Sequence, residues 1–268
     1  MLKSKEQMHR QDDSPDKEQT QRQLSFREGE ALPSSLEWGN CRVQLYFAAT
    51  NEYSIKQLKE FESLLNPEEL DYIRARKDQT SRRTALVSRG LLRRLLAQRA
   101  GIDATELIFE KGKYGKPYLS GTVDRGPYFS LSHCHECILI AVSNELEVGV
   151  DLERINPALV TEQLIEDLTS AEERLSLASL HGMKRIEKFF ELWVEKESLL
   201  KASGTGLSGL SGILSKDFDR QSWLAPGKSW QTVMLPAPAG YVAAISFADG
   251  QTNASAIISG GRIPCNYT

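Results

Sequence analysis

The sequence predicts an α+β protein of two similar-sized halves that meet near residue 147. Three observations carry this. Short stretches alternating at period two occur near the start, in the middle and near the end of the chain. Longer stretches with apolar residues at helical spacing lie between them. The resulting order, β, α, α, βββ, α, α, β, groups its strands instead of alternating each with a helix, as α+β folds do.

The composition is compatible with this. Of 268 residues, 40% are hydrophobic and 26% charged, as in an ordinary soluble protein with a core. A formal charge of −3 excludes a globally basic nucleic-acid binder. The longest unbroken apolar run, Cys137 to Val142, falls far short of the roughly 20 residues of a membrane span. The amino terminus is polar and has no apolar stretch like that of a secretory signal. Four cysteines in so long a chain do not make a disulfide framework, so a reducing cytoplasm is expected. Residues 1–35, rich in Gln, Glu, Asp, Lys and Ser, read as a disordered tail. Residues 36–147 and 148–268 are then the two halves.

Val43 to Ala48 alternates as a strand. Asn66-Pro67-Glu68-Glu69 is a helix start, with a capping Asn, Pro at the first helical position and acids in the first turn. A long helix follows from Ser81 to Arg99 and stops near Gly101. Leu107 to Phe109 is strand-like, and Gly112 to Pro117 is a loop. Phe129 to Ser132, Ile138 to Val142 and Val148 to Glu153 read as three strands with short connections, an antiparallel meander. Helices are expected over 161–180 and 183–203, and Tyr241 to Ser246 is the clearest late strand.

Several of these elements carry residues with chemistry. Between Arg74 and Arg99 there are nine basic residues and one acid, Asp78. On a helix, Arg82, Arg83, Arg89, Arg93 and Arg94 share the side opposite the leucines, with Gly90 between them. Such a side is either a solvated surface or a site for anions, since guanidinium forks match phosphate oxygens. Gly90 leaves room for something to approach the backbone. The loop Gly115-Lys116-Pro117 lacks the glycine spacing of a nucleotide fingerprint and matters only if Lys116 points at the same anion. Ser132-His133-Cys134-His135-Glu136-Cys137 lacks the second ligand pair of a zinc site, so His133 is read as a strand-tip ligand group and the cysteines as packing residues. Asp151 and Glu153, two apart on a strand, face the same way, and two like charges there need solvent or a shared cation. Oxygen ligands without His or Cys suggest Mg²⁺. Trp193, Glu197 and Lys201 climb one side of a helix, with Glu197 and Lys201 in the favourable order for a helical ion pair. A basic cradle, three carboxylates and a lysine are the kit for chemistry at a phosphate or pyrophosphate.

The stretch Gly149-Val150-Asp151-Leu152-Glu153, followed by Trp193-Val194-Glu195-Lys196-Glu197-Ser198-Leu199-Leu200-Lys201-Ala202, resembles the 4′-phosphopantetheinyl transferases of the Sfp type. Tyr114-Gly115-Lys116-Pro117 and Phe129-Ser130-Leu131-Ser132-His133 match that family's other motifs in order and spacing, so the resemblance covers about residues 43–250. It implies a pseudo-dimer of two α/β halves with the site in the cleft between them. The implied reaction moves the phosphopantetheine arm of coenzyme A to a serine of an apo acyl or peptidyl carrier protein and releases 3′,5′-ADP. Asp151, Glu153 and Glu197 would hold Mg²⁺. Arg83, Lys116, Ser132 and His133 would line the nucleotide and its 3′-phosphate, with Arg82 a rival to Arg83. Lys201 would face the pyrophosphate and stabilise or protonate the leaving group, and Glu197 would be base, ligand or both. The protein is expected to be a cytoplasmic monomer, bound to neither nucleic acid nor membrane. Where many members carry lysines, this chain has Glu68-Glu69-Leu70-Asp71-Tyr72; Arg74 or Arg76 would then supply the phosphate contact. Two rival classes are a nucleic-acid-binding module built on the arginine helix and a catalytically inactive carrier-protein binder.

Overall fold

The structure is a computed structural model that describes residues 33–38, 41–121, 127–214, 229–249 and 256–260. Within these the chain runs β1 (Pro33–Trp38), β2 (Cys41–Ala49), α1 (Ile55–Leu64), α2 (Pro67–Arg74), α3 (Gln79–Ala100), β3 (Phe109–Lys111), β4 (Pro117–Leu119), β5 (Tyr128–Cys134), β6 (Cys137–Ser143), β7 (Val148–Arg154), α4 (Glu162–Leu168), α5 (Ala171–Ala178), α6 (Met183–Ser203), α7 (Leu210–Leu214), β8 (Ser229–Leu235), β9 (Tyr241–Asp249) and β10 (Ala256–Gly260). The mixture is α+β. A five-stranded antiparallel sheet has the order β10-β1-β2-β6-β5, a three-stranded one the order β7-β9-β8, and β3 and β4 form a separate hairpin.

Alternation along β6 explains the layering. Cys137, Leu139 and Ala141 join Val148, Val150, Leu152 and Ile245 in a core between the two sheets. Ile138, Ile140 and Val142 face the other way, onto Val87, Leu91, Leu95 and Leu96 of α3. Every residue of β6 is therefore buried, which is why it reads as an unbroken apolar run. In β7, Val148, Val150 and Leu152 point into the shared core, so Gly149, Asp151 and Glu153 face the opposite side, where α6 packs.

Local chemistry sets the helix ends. Asn66 and Glu69 form a reciprocal capping box at the start of α2, Asp78 caps α3, and Gly101 ends α3 at φ +67°. The helix expected over 161–180 is two helices. Thr169 is extended, and Ser170 with Glu173 builds a new capping box that restarts the chain as α5. A further helix, α1, is capped by Ser54 with Gln57.

The expected three-strand meander is corrected. β5 and β6 pair as a hairpin, but β7 pairs with β9 in the second sheet. The backbone N–H groups of Val150, Leu152 and Arg154 donate to the side chains of Ser130 (3.0 Å), Ser132 (3.3 Å) and Cys134 (3.3 Å). Side chains at every second position of β5 thus occupy donors that a neighbouring strand's carbonyls would otherwise fill. The expected boundaries differ in two further respects: β1 begins at Pro33, inside the stretch read as tail, and β10 from the later half completes the first sheet. Residues 1–32 lie outside the described residues.

Candidate active site

Asp151 and Lys201 form the centre of the site. Lys201 Nζ lies 2.6 Å from Asp151 Oδ1 and 3.0 Å from Ser132 Oγ, and Ser132 in turn donates to Asp151 Oδ1 at 2.9 Å. Asp151 is 2% exposed. Helix α6 carries Lys201 in its last turn, and β7 carries Asp151 on the side facing that helix. The close approach of the two elements is permitted by Gly149: a Cβ there would lie 2.1 Å from both Ser198 O and Ala202 N.

Lys201 therefore pairs with Asp151 across elements and not with Glu197 along the helix, as the spacing had suggested. Asp151 is a hub of contacts, not a solvated strand-end acid. Its second oxygen, Oδ2, is buried without a hydrogen-bond partner. Burial, and next the charge of Asp151, raise the pKa of Glu153 and of Glu197, while Lys201 opposes both shifts. Three carboxylates thus crowd one ammonium. Among the described residues no group of three His, Cys, Asp or Glu side chains is gathered in a form that could hold a metal ion.

Above this floor opens a cavity of about 470 Å³, lined by Tyr72, Arg76 and Arg89 from the first half, by Tyr114, Lys116, Ser130 and His133, and by Glu197 and Lys201 of α6. His133 is exposed at its mouth. The protein packed around its ring, and then the charges of Lys201, Arg76 and Arg89, hold its pKa below the usual histidine value.

Of the residues read from the sequence, Glu197, Lys201, His133 and Lys116 line the cavity. Asp151 and Ser132 lie together beneath it. Glu153 is held by the Cys134 thiol, whose Sγ donates to Oε2 at 3.4 Å. Burial lifts the pKa of that thiol to about 11, in keeping with a packing role. Arg83 is not brought to the cavity: its guanidinium donates to the carbonyls of Thr50, at 2.9 Å, and of Tyr53. Arg82 is turned back onto Arg76 O, at 2.8 Å.

Arg93 and Arg94 are also partnered within the protein. Arg93, 1% exposed, pairs with Glu69 at 2.8 Å and donates to Ala104 O and Leu107 O. Arg94 pairs with Glu60 at 3.6 Å. The group that Gly90 admits is Phe61, whose ring would meet a Cβ at 2.4 Å. Arg76 and Arg89 are the arginines of the cavity wall, and both guanidinium groups lie over the ring of Tyr72, at 4.5 and 5.1 Å from its centre. Arg74, by contrast, pairs outward with Asp71. The four-residue spacing of Tyr72, on α2, and Arg76, just past its end, was a local sign of that stack; the approach of Arg89 from α3 was not.

Comparison with known proteins agrees with the motifs. Residues 147–246 match the 4′-phosphopantetheinyl transferase superfamily, and residues 52–145 match the 4′-phosphopantetheinyl transferase N-terminal region. The chain belongs to the 4′-phosphopantetheinyl transferase superfamily. It is similar to 4′-phosphopantetheinyl transferase HetI of Nostoc sp. (29% identical, covering 72% of this chain and 82% of that one). It is also similar to 4′-phosphopantetheinyl transferase gsp of Aneurinibacillus migulanus (35%, covering 46% and 49%) and to 4′-phosphopantetheinyl transferase Sfp of Bacillus subtilis (24%, covering 58% and 67%). The chain spans 61% of the length of a relative from Synechocystis sp. and about half that of the Aneurinibacillus protein. Among the described residues no helix is long and apolar enough to cross a membrane.

Proposed function

We propose that the protein transfers the 4′-phosphopantetheine arm of coenzyme A to a serine of an apo acyl or peptidyl carrier protein. The observation that carries this reading is the Asp151–Lys201 contact, with Asp151 Oδ2 left unpartnered, beneath a cavity walled by Arg76, Arg89 and His133. An anionic ligand suits the walls and a cation suits the floor. Each half sets a long helix on an antiparallel sheet, α3 on the first and α6 on the second, which favours a pseudo-dimer with residues 36–147 and 148–268 meeting at the site. We read the protein as a cytoplasmic monomer.

Asp151 Oδ2, buried without a hydrogen-bond partner, is the observation that favours a hard cation here, and Glu153 and Glu197 would have to close on it to complete a ligand set. Asp151, Glu153 and Glu197 would hold Mg²⁺, which supplies positive charge at the pyrophosphate. Arg76, Arg89 and His133 bind the 3′-phosphate side of the nucleotide, replacing the family's lysines on α2. Glu197 lines the cavity within reach of an incoming hydroxyl, and before a cation binds, burial and the charge of Asp151 raise its pKa; a carboxylate so placed suits a general base. It takes the proton from the carrier serine as that oxygen attacks the β-phosphorus. The departing 3′,5′-ADP gains charge on its phosphate oxygen, and the Lys201 ammonium, held by Asp151 and Ser132, neutralises it. Incubating the protein with coenzyme A, Mg²⁺ and a panel of apo carrier proteins should add the mass of the arm to at least one of them. A panel that stays apo while Sfp modifies it counts against the reading.

A second expectation concerns His133. A phosphate dianion favours the imidazolium and offsets the field of Lys201, Arg76 and Arg89. Coenzyme A should therefore raise the His133 pKa, and its affinity should increase as pH falls through the interval between the free and bound values. NMR titration of the His133 ring, with dephospho-coenzyme A for comparison, reads the shift. Equal shifts with the two ligands would take His133 away from the 3′-phosphate.

A further inference from the structure

The Lys116 side chain lines the cavity, but its ammonium is directed elsewhere. Nζ donates to Ala202 O at 2.7 Å and to Val148 O at 3.1 Å. Ala202 lies in the last turn of α6, where carbonyls lack intrahelical partners and attract a cation. Val148 is the first residue of β7. The Lys116 Cδ lies 3.2 Å from where a Cβ on Gly204, the left-handed cap of α6, would sit. One lysine on the β3–β4 loop thus touches both elements that carry the site: α6 with Glu197 and Lys201, and β7 with Asp151 and Glu153.

We propose that Lys116 is a positioning residue, a latch that fixes the end of α6 against the start of β7 and so sets the Lys201–Asp151 geometry. It acts through these carbonyls and not as a ligand of the 3′-phosphate. Lys201 stands one residue before the latched carbonyl of Ala202, and Asp151 three residues after that of Val148. With the latch released, the ammonium of Lys201 shifts relative to Asp151 and Ser132, and the charge it presents to the leaving group is misplaced. A shift of about 1 Å in such a group is enough to lower a rate 10- to 100-fold. The effect on turnover rests on the transfer reading; the latch itself does not.

The test is Lys116→Met, which keeps the stem and removes the ammonium. Hydrogen exchange without ligand should quicken in the peptides covering Leu199–Gly204 and the start of β7. At saturating coenzyme A and carrier protein, kcat should fall about 10- to 100-fold. KM for coenzyme A and the affinity ratio of coenzyme A to dephospho-coenzyme A should stay within about twofold. A purely structural contact would lower melting temperature without this split between kcat and KM. A collapsed affinity ratio at unchanged kcat would make Lys116 a phosphate ligand and overturn the proposal, as would unchanged exchange. Should Lys116→Met fail to fold, Lys116→Arg keeps the charge but widens the head and should move the same readouts in the same directions. If the wild type transfers nothing, the transfer reading fails while the exchange measurement still decides on the latch.

Discussion

Gly149→Ala should be the most destabilising glycine-to-alanine change among the described residues. The added Cβ would meet Ser198 O and Ala202 N at 2.1 Å and Ala202 Cα at 2.7 Å, all backbone atoms of α6. No side chain can turn aside, so β7 and α6 must separate. Overpacking a core typically costs about 1–3 kcal/mol, and a clash with backbone belongs at or beyond the upper end. That is a large part of the roughly 5–15 kcal/mol of a typical domain. Gly101→Ala is the control. Gly101 is left-handed, at φ +67° and ψ +27°, with open space around the added methyl, so it should lose only about 1–2 kcal/mol from backbone strain. Urea unfolding of both variants decides it. Equal midpoints would mean that β7 and α6 can part without loss, and the close approach would then explain nothing about the site.

Glu197→Gln should lower turnover at least about 10²-fold, the size of a lost general base, while leaving coenzyme A bound. Lys201→Arg should have a similar outcome for a different reason. The ammonium sits between Ser132 and Asp151, at 3.0 and 2.6 Å, and a planar fork does not reproduce a compact point charge in that space. The two variants differ in pH behaviour. Glu197→Gln removes the proposed proton acceptor, so any acid limb it governs should disappear from the rate profile; Lys201→Arg should keep that limb at a reduced rate. Single-turnover transfer to an apo carrier protein measures both. Wild-type rates in both variants would remove α6 from the chemistry.

The sequence revealed what is local and missed what is distant. Asn66, Pro67 and Glu69 announced α2 because a cap and its partner lie within one turn, and Gly101 announced the end of α3 because only a left-handed residue is needed there. The same chemistry was present but unused at Ser54 with Gln57, and at Ser170 with Glu173, which splits the helix expected over 161–180. The candidate site was legible in its residue types, since Asp151, Glu153, Glu197 and Lys201 sit in recognisable spacings. Their partners were not. Lys201 has Glu197 one turn away, yet the close packing around Gly149 brings Asp151 nearer. The arginine helix looked like an anion-binding face because Glu60, which pairs with Arg94 at 3.6 Å, and Glu69, which pairs with Arg93 at 2.8 Å and reaches Arg89 at 3.3 Å, come from other helices; one carboxylate shared by two guanidinium groups leaves Arg89 charge for the cavity. No periodicity could show that Ser130, Ser132 and Cys134 would serve the backbone of β7, because that depends on where the second sheet lies.

The pairing of β10 with β1 has a bearing on how the protein is made. Residues 256–260 complete a sheet whose other strands come from residues 33–143. During synthesis the first sheet must wait on the ribosome for more than a hundred further residues before its edge is closed. Until then β1 presents a row of free amide and carbonyl groups, the template on which one nascent chain can pair with another. Closing that edge so late makes β10, the last strand among the described residues, a seal on the first sheet, and a chain released short of it would carry the site's residues beside an open, adhesive border.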